Sequence, residues 1–98
     1  MLEQINIIDR YDETQKNRGQ MSLFLEEMAI QLNELEKEEG ISVEDEYALC
    51  EWDYVLEEIY KNYRDLVYDN VLFNAIGLCH MLRKRSAVEG LKKESYYE

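Results

Sequence analysis

Apolar residues recur at every third or fourth position through most of this chain, which is the spacing of an amphipathic α-helix. Between Ser22 and Glu39 the apolar positions are Phe24, Leu25, Met28, Leu32 and Leu35. Between Ser42 and Tyr68 they are Ala48, Leu49, Trp52, Val55, Leu56, Ile59, Tyr63 and Leu66. Each stripe predicts a helix that buries one side, and the second contains the only tryptophan.

Two serines and a glycine mark the predicted ends of these helices. Ser22 is a good N-cap for the helix that follows it, and Gly40 is expected to end that helix. Ser42 is followed three residues later by Asp45, a variant of the capping box, so it predicts the start of the next helix. Because the connection is short, we expect the two helices to pack antiparallel.

Further helices are predicted on both sides of this pair. A thin apolar stripe predicts a helix over residues 2–17, which either stops at Gly19 or continues as one bent helix into the next segment. Residues 71–85 are apolar almost all round, which indicates a central helix of the bundle or half of a dimer interface. Asp69 and Asn70 either cap this helix or lie within one long helix that includes the preceding segment.

These elements together predict an all-α fold, a small antiparallel helical bundle of three to four helices. Residues 1–98 are expected to form a single helical domain, with 87–98 a loosely ordered tail. The chain has four glycines and no proline, and this shortage of turn residues favours helices over sheets.

The net charge of −11 is concentrated in the middle of the chain. Residues 26–58 carry thirteen acidic side chains and one lysine, whereas residues 59–98 have a net charge of +2. Such an acidic block repels nucleic acid and attracts basic surfaces. We therefore expect no direct binding to nucleic acid, and we interpret the basic cluster Arg83-Lys84-Arg85 as a complement to the helix dipole that also aids solubility.

The sequence contains few residues that could bind a metal or carry out catalysis. The single histidine, His80, neighbours Cys79, and adjacent helical residues point about 100° apart. With Cys50 these are the only three Cys or His side chains, fewer than a structural zinc site needs. We expect no enzyme activity, no cofactor and no metal. A short apolar run and the lack of a recognisable signal sequence predict a cytoplasmic protein with reduced thiols and no membrane contact.

One side of the helix predicted between Ser42 and Tyr68 has the features of a contact surface. Tyr47, Tyr54 and Tyr68 are spaced by multiples of seven and fall in one row, with carboxylates along both edges. The predicted partner-binding residues are Glu44, Tyr47, Glu51, Tyr54, Glu58, Asp65 and Tyr68; the opposite edge would be Glu46, Asp53 and Glu57. Tyrosine is enriched at binding hot spots, and acids steer a basic partner. Alternatively, the tyrosines pack within the bundle and the acids form a solvated face.

The composition resembles that of small phage proteins that block nucleic-acid enzymes, such as anti-CRISPR and anti-restriction proteins. This resemblance lies in charge and size and in no motif. It implies an inhibitor or regulator that occludes the basic nucleic-acid-binding surface of a partner protein. The alternative is a helical adaptor or assembly subunit that oligomerises, as a homodimer for example, through Phe73, Ile76 and Leu82. A third hypothesis, a bacteriocin-immunity-like bundle, rests on size, helicity and the basic tail.

Overall fold

Four α-helices joined by short connections make up residues 7–95, the part of the chain that the computed structural model describes. The helices are α1 (Ile7–Lys16), α2 (Met21–Glu36), α3 (Val43–Asn62) and α4 (Asp69–Ser95). Two 3₁₀ turns, Arg18–Gln20 and Arg64–Leu66, precede α2 and α4. No strand occurs among the described residues. The predicted all-α bundle is confirmed.

The helices form a ring in which α4 packs against both α2 and α3, and α1 packs against both on the other side. Across α3 and α4, Tyr60 contacts Phe73 near one end and Glu46 meets Ser86 near the other. This reversed order makes α4 antiparallel to α3. The α2 helix runs opposite to α3, as expected, but the two lie diagonally and are not close neighbours. Their expected direct pairing is wrong, because the apolar side of α4 lies between them.

A single apolar core contains residues from all four helices. Its buried members are Ile7, Tyr11, Met21, Phe24, Leu25, Met28, Leu32, Leu35, Leu49, Trp52, Val55, Leu56, Ile59, Leu72, Ala75, Cys79 and Leu82. The stripe predicted between Ser22 and Glu39 is therefore buried in full. The stripe predicted between Ser42 and Tyr68 is buried or partly buried except at Leu66, which lies in a 3₁₀ turn and is exposed.

A 3₁₀ turn separates α1 from α2, so the two helices are not one bent helix. In that turn the backbone N–H of Gln20 donates to the carbonyl of Asn17 at 3.0 Å. The N-cap position of α2 is Gln20, which makes no side-chain capping bond. The expected N-cap, Ser22, lies inside the helix, and its hydroxyl donates to the carbonyl oxygen of Leu66 at 2.7 Å. The serine thus links α2 to the connection between α3 and α4.

The connection between α2 and α3 follows the prediction in part. The second helix ends at Glu36 with Lys37 as its C-cap, so Gly40 does not end the helix as expected. Gly40 lies within the connection at φ of 143°, a backbone conformation that side chains with a Cβ rarely adopt. Ser42 caps α3 as predicted, because its Oγ accepts a hydrogen bond from the backbone N–H of Asp45 at 3.1 Å. Ile41 packs against the core.

The third helix ends at Asn62, well before the predicted Tyr68. Tyr63 leaves the helical conformation at φ −131° and ψ 19°. Its ring packs edge-on against Tyr11, with centroids 6.2 Å apart, and its hydroxyl donates to Gln15 Oε1 at 3.1 Å. These contacts with α1 accompany a break that local periodicity does not predict.

The fourth helix begins at Asp69 and continues to Ser95, beyond the predicted end at Arg85. It therefore includes most of the segment 87–98 that we expected to be a loosely ordered tail, and residues 96–98 lie outside the described residues. Within the described part of the chain, no helix combines the length and apolarity that crossing a bilayer requires.

We expect Leu56→Ala to lower the free energy of unfolding by about 2–5 kcal/mol, because it opens a cavity at a fully buried position. Tyr47→Ala, on the exposed side of the same helix, should change it by no more than about 0.5 kcal/mol. Urea unfolding followed by circular dichroism measures both values. Equal losses in the two variants would contradict the packing described here.

Candidate protein-binding face

The outer side of α3 carries large side chains that do not enter the core. Tyr47 is 74% exposed and Tyr54 is 52% exposed. Val43 and Cys50 are exposed beside them, at positions that share this side of the helix. We call these four residues the tyrosine face. The opposite side of α3 is fully buried, so the core sets the direction in which the tyrosines point.

Carboxylates flank the tyrosine face. Glu44 and Glu51 lie along one edge, with Glu58 half-buried one heptad further on, and Glu57 lies at the other edge. Each heptad step corresponds to about 10 Å along the helix. Among the described residues no base lies within ion-pair distance of these glutamates; Glu58 accepts a hydrogen bond from the Asn62 amide at 2.8 Å. The edge carboxylates therefore remain open to a partner.

Two of the predicted binding residues, Asp65 and Tyr68, do not continue this row. Asp65 lies in the 3₁₀ turn Arg64–Leu66, and Tyr68 lies in the connection that follows it. Both are exposed, but the seven-residue spacing that aligned them with Tyr47 holds only within an unbroken helix. Their predicted place in the row is wrong because α3 ends at Asn62.

The second predicted acidic edge turns toward α4. The Asp53 side chain is buried, forms an ion pair with Arg83, and places Oδ1 3.6 Å from His80 Nε2. Glu46 accepts a hydrogen bond from the Ser86 hydroxyl. Of the three residues expected at this edge, only Glu57 is available at the surface. No signal in the sequence identifies this polar contact between α3 and α4, because it depends on the rotation of both helices.

Arg83 and Arg85 bind groups on α3 and at the end of α2, and neither lies at the C-terminal end of α4. Arg83 pairs with Asp53 on α3. Arg85 donates to the backbone carbonyl oxygens of Glu36 and Glu38, at 3.2 and 2.6 Å. The last carbonyls of a helix lack partners within it, and they attract cations. Arg85 thus complements the C-terminus of α2. The sequence predicted this role at the C-terminus of the helix that contains the arginine.

The two thiols differ in environment. Cys79 is fully buried and donates to the carbonyl oxygen of Leu49 at 3.5 Å. Burial raises the pKa of the Cys79 thiol to about 12, since the thiolate would lose its hydration. Cys50 is exposed in the tyrosine face, and both cysteines are free.

The apolar surface proposed for oligomerisation on α4 is largely used inside the bundle. Leu82 is fully buried, and Ile76 is partly buried against the core. Phe73 is the exposed member of the three, and it packs beside Tyr60 with ring centroids 5.9 Å apart. The helices α2 and α3 therefore cover most of the apolar side of α4 that the sequence indicated as an interface.

The fold and this face define a small all-α bundle with an acidic, tyrosine-bearing outer surface. No group of three or more His, Cys, Asp or Glu residues is arranged to hold a metal ion within the described part of the chain. No protein-family model, no curated protein and no solved structure matches the chain. The geometry and charge of the surface are therefore what indicate the function of this protein.

We expect one thiol to react in the folded protein and two in the unfolded protein. Cys50 is accessible, whereas Cys79 is both buried and held as the neutral thiol at pH 8. Titration with a disulfide reagent, with and without denaturant, measures this difference. Cys50→Ser should abolish the reaction of the folded protein. Rapid modification of Cys79 without denaturant would contradict its burial.

Stability should fall as the pH rises from about 9 to about 12. The Cys79 pKa is about 12 in the folded protein against 9.0 for an ordinary thiol, so the folded state keeps a proton that the unfolded chain releases. The loss is at most about 1.4 kcal/mol per pH unit for each such group. Tyr11, whose pKa burial raises to about 12, adds to it above pH 10.

Urea unfolding at several alkaline pH values should therefore give a shallower pH dependence for Cys79→Ala than for the wild type. Cys50→Ala is the matched control and should keep the wild-type slope, because that thiol is exposed. An unchanged slope in Cys79→Ala would show that its proton does not contribute to folding.

Proposed function

We propose that this protein binds a protein partner through the tyrosine face and its flanking carboxylates, and thereby occludes a basic nucleic-acid-binding surface of that partner. The observation that carries the proposal is the exposure of Tyr47 and Tyr54 beside Glu44, Glu51 and Glu57, which form no ion pair within the described part of the chain. The bundle completes its core without these rings, so the alternative in which they pack within the bundle loses its support.

Exposed tyrosines on a rigid helix favour binding. A tyrosine supplies a large apolar area and a polar hydroxyl, and it loses little side-chain entropy when a partner covers it. Tyr47 and Tyr54 are seven residues apart on a helix whose other side is anchored in the core, so their separation of about 10 Å is set before binding. Such preorganisation lowers the cost of association.

The flanking charge selects a basic partner. Glu44, Glu51 and Glu57 surround the rings, within a block of residues 26–58 whose net charge is −12. This field repels nucleic acid and also opposes contact between two copies of the same face. The surfaces that complement it are those whose lysines and arginines ordinarily neutralise phosphates. The compositional resemblance to anti-CRISPR and anti-restriction proteins points to the same class of partner.

The proposal requires neither catalysis nor a cofactor, and it places the protein in the cytoplasm. An inhibitor of this kind acts by occupying a surface, so its affinity depends on the tyrosines and on charge. Cytoplasmic conditions keep thiols reduced, in keeping with two free cysteines in a chain of this size.

We expect Glu44→Gln/Glu51→Gln/Glu58→Gln and Tyr47→Ala/Tyr54→Ala to weaken partner binding at least tenfold. The matched control is Glu34→Gln/Glu36→Gln/Glu39→Gln, which changes the net charge equally, from −11 to −8, at exposed positions away from the tyrosine face. Tagged wild-type protein and each variant are used to isolate the partner from a lysate at low and high salt.

The isolated partner is then purified, and its binding to labelled nucleic acid is measured as this protein is added. The proposal expects competition that weakens with salt and that the control variant preserves. Binding that survives the tyrosine-face variants, or a partner that retains its nucleic acid when saturated, contradicts it.

A further inference from the structure

A groove of about 560 Å³ lies between α1 and α2, and no residue of the tyrosine face lines it. Leu23 and Ile30 line it from α2, and they are 55% and 58% exposed. They are seven residues apart and lie on the side of α2 that points away from the core. Phe24 contributes to the apolar lining from the buried side of the helix.

The rim of this groove is acidic. Among the side chains that the structure describes, its charged lining residues are Glu13, Glu26, Glu27 and one base, Arg10. Arg10 forms an ion pair with Glu27 and lies 5.4 Å from the centre of the Phe24 ring, so its charge is already balanced. Glu13 pairs with Lys16 at 3.3 Å on the exposed surface, where such pairs are weak, and Glu26 has no base within ion-pair distance among the described residues.

We propose that this groove is a second docking site, and that it takes a cationic amphipathic helix of a protein partner. A helix lays apolar side chains spaced by three, four and seven residues into such a groove, and Leu23 and Ile30 offer two anchors one heptad apart. Lysines or arginines beside those side chains then face Glu13 and Glu26. An extended peptide lacks a sheet edge to pair with here, because the walls are helices.

A second copy of this chain is a poor occupant through its α2 or α3. The described lining of the groove carries three carboxylates and one base, and the outer surfaces of α2 and α3 both carry carboxylates around their apolar residues. Two such surfaces repel each other. The commitment to a cationic partner therefore follows from charge complementarity.

The groove is lined from α1 and α2, whereas the tyrosine face lies on α3, so the two sites share no residue. The docking site is therefore independent of the function proposed above. If both are used, the protein holds two basic elements at once, on one partner or on two.

The test uses a synthetic helical peptide of leucine and lysine, with leucines on one side, titrated into the full-length protein. Isothermal titration calorimetry gives its affinity, and methyl NMR spectra locate it through the signals of Leu23 and Ile30. Leu23→Ser/Ile30→Ser should lower the affinity at the groove at least tenfold. Tyr47→Ser/Tyr54→Ser, which removes a similar exposed pair from α3, is the matched control and should leave the Leu23 and Ile30 shifts unchanged. Circular dichroism checks that both variants fold.

A peptide of identical composition in scrambled order measures attraction by charge alone and should bind at least tenfold more weakly. The proposal is overturned if the scrambled peptide binds equally well, or if the methyl signals of Leu23 and Ile30 do not move. It is also overturned if the protein alone forms a dimer that Leu23→Ser/Ile30→Ser disperses, since the occupant would then be a second copy. A peptide that perturbs only the tyrosine face refutes the groove and leaves the proposed function standing.

Discussion

The packing of α4 between α2 and α3 is the constraint on which the rest of this structure depends. Leu72, Ala75, Cys79 and Leu82 form a fully buried side of α4 that contacts both neighbours. Because α2 and α3 are diagonal, their own apolar stripes would stay partly open without it. Burying such side chains contributes about 1.5–3 kcal/mol each, so this packing sets the rotation of every helix around the ring.

The rotation of α3 separates its carboxylates into two groups with different roles. Asp53 and Glu46 face α4, where Arg83 and Ser86 bind them. A buried carboxylate is costly without partners, and Asp53 Oδ1 makes no hydrogen bond although His80 Nε2 lies 3.6 Å away. The same rotation directs Tyr47 and Tyr54 outward with Glu44 and Glu51. The rotation of α3 thus decides which of its side chains contact α4 and which are exposed at the surface.

The bundle places similar chemistry on two opposite corners. The outer side of α3 carries tyrosines between carboxylates, and the outer side of α2 carries Leu23 and Ile30 between Glu26 and Glu27. Solvent-exposed apolar side chains grouped on one surface are typical of interaction sites. A long α4 that fills the space between these helices allows both surfaces to remain outside the core of a chain of only 98 residues.

The all-α class, the buried stripes of α2 and α3 and the cap at Ser42 could be predicted from the sequence, because they depend on local periodicity and backbone preference. The alignment of Tyr47 with Tyr54 could also be predicted, since both lie within one unbroken helix. The end of α3 at Asn62 could not, because it accompanies the contacts of Tyr63 with α1, and this end removes Asp65 and Tyr68 from the row. Only contacts between helices could show that Asp53 is buried, because the rotation of a helix depends on its neighbours.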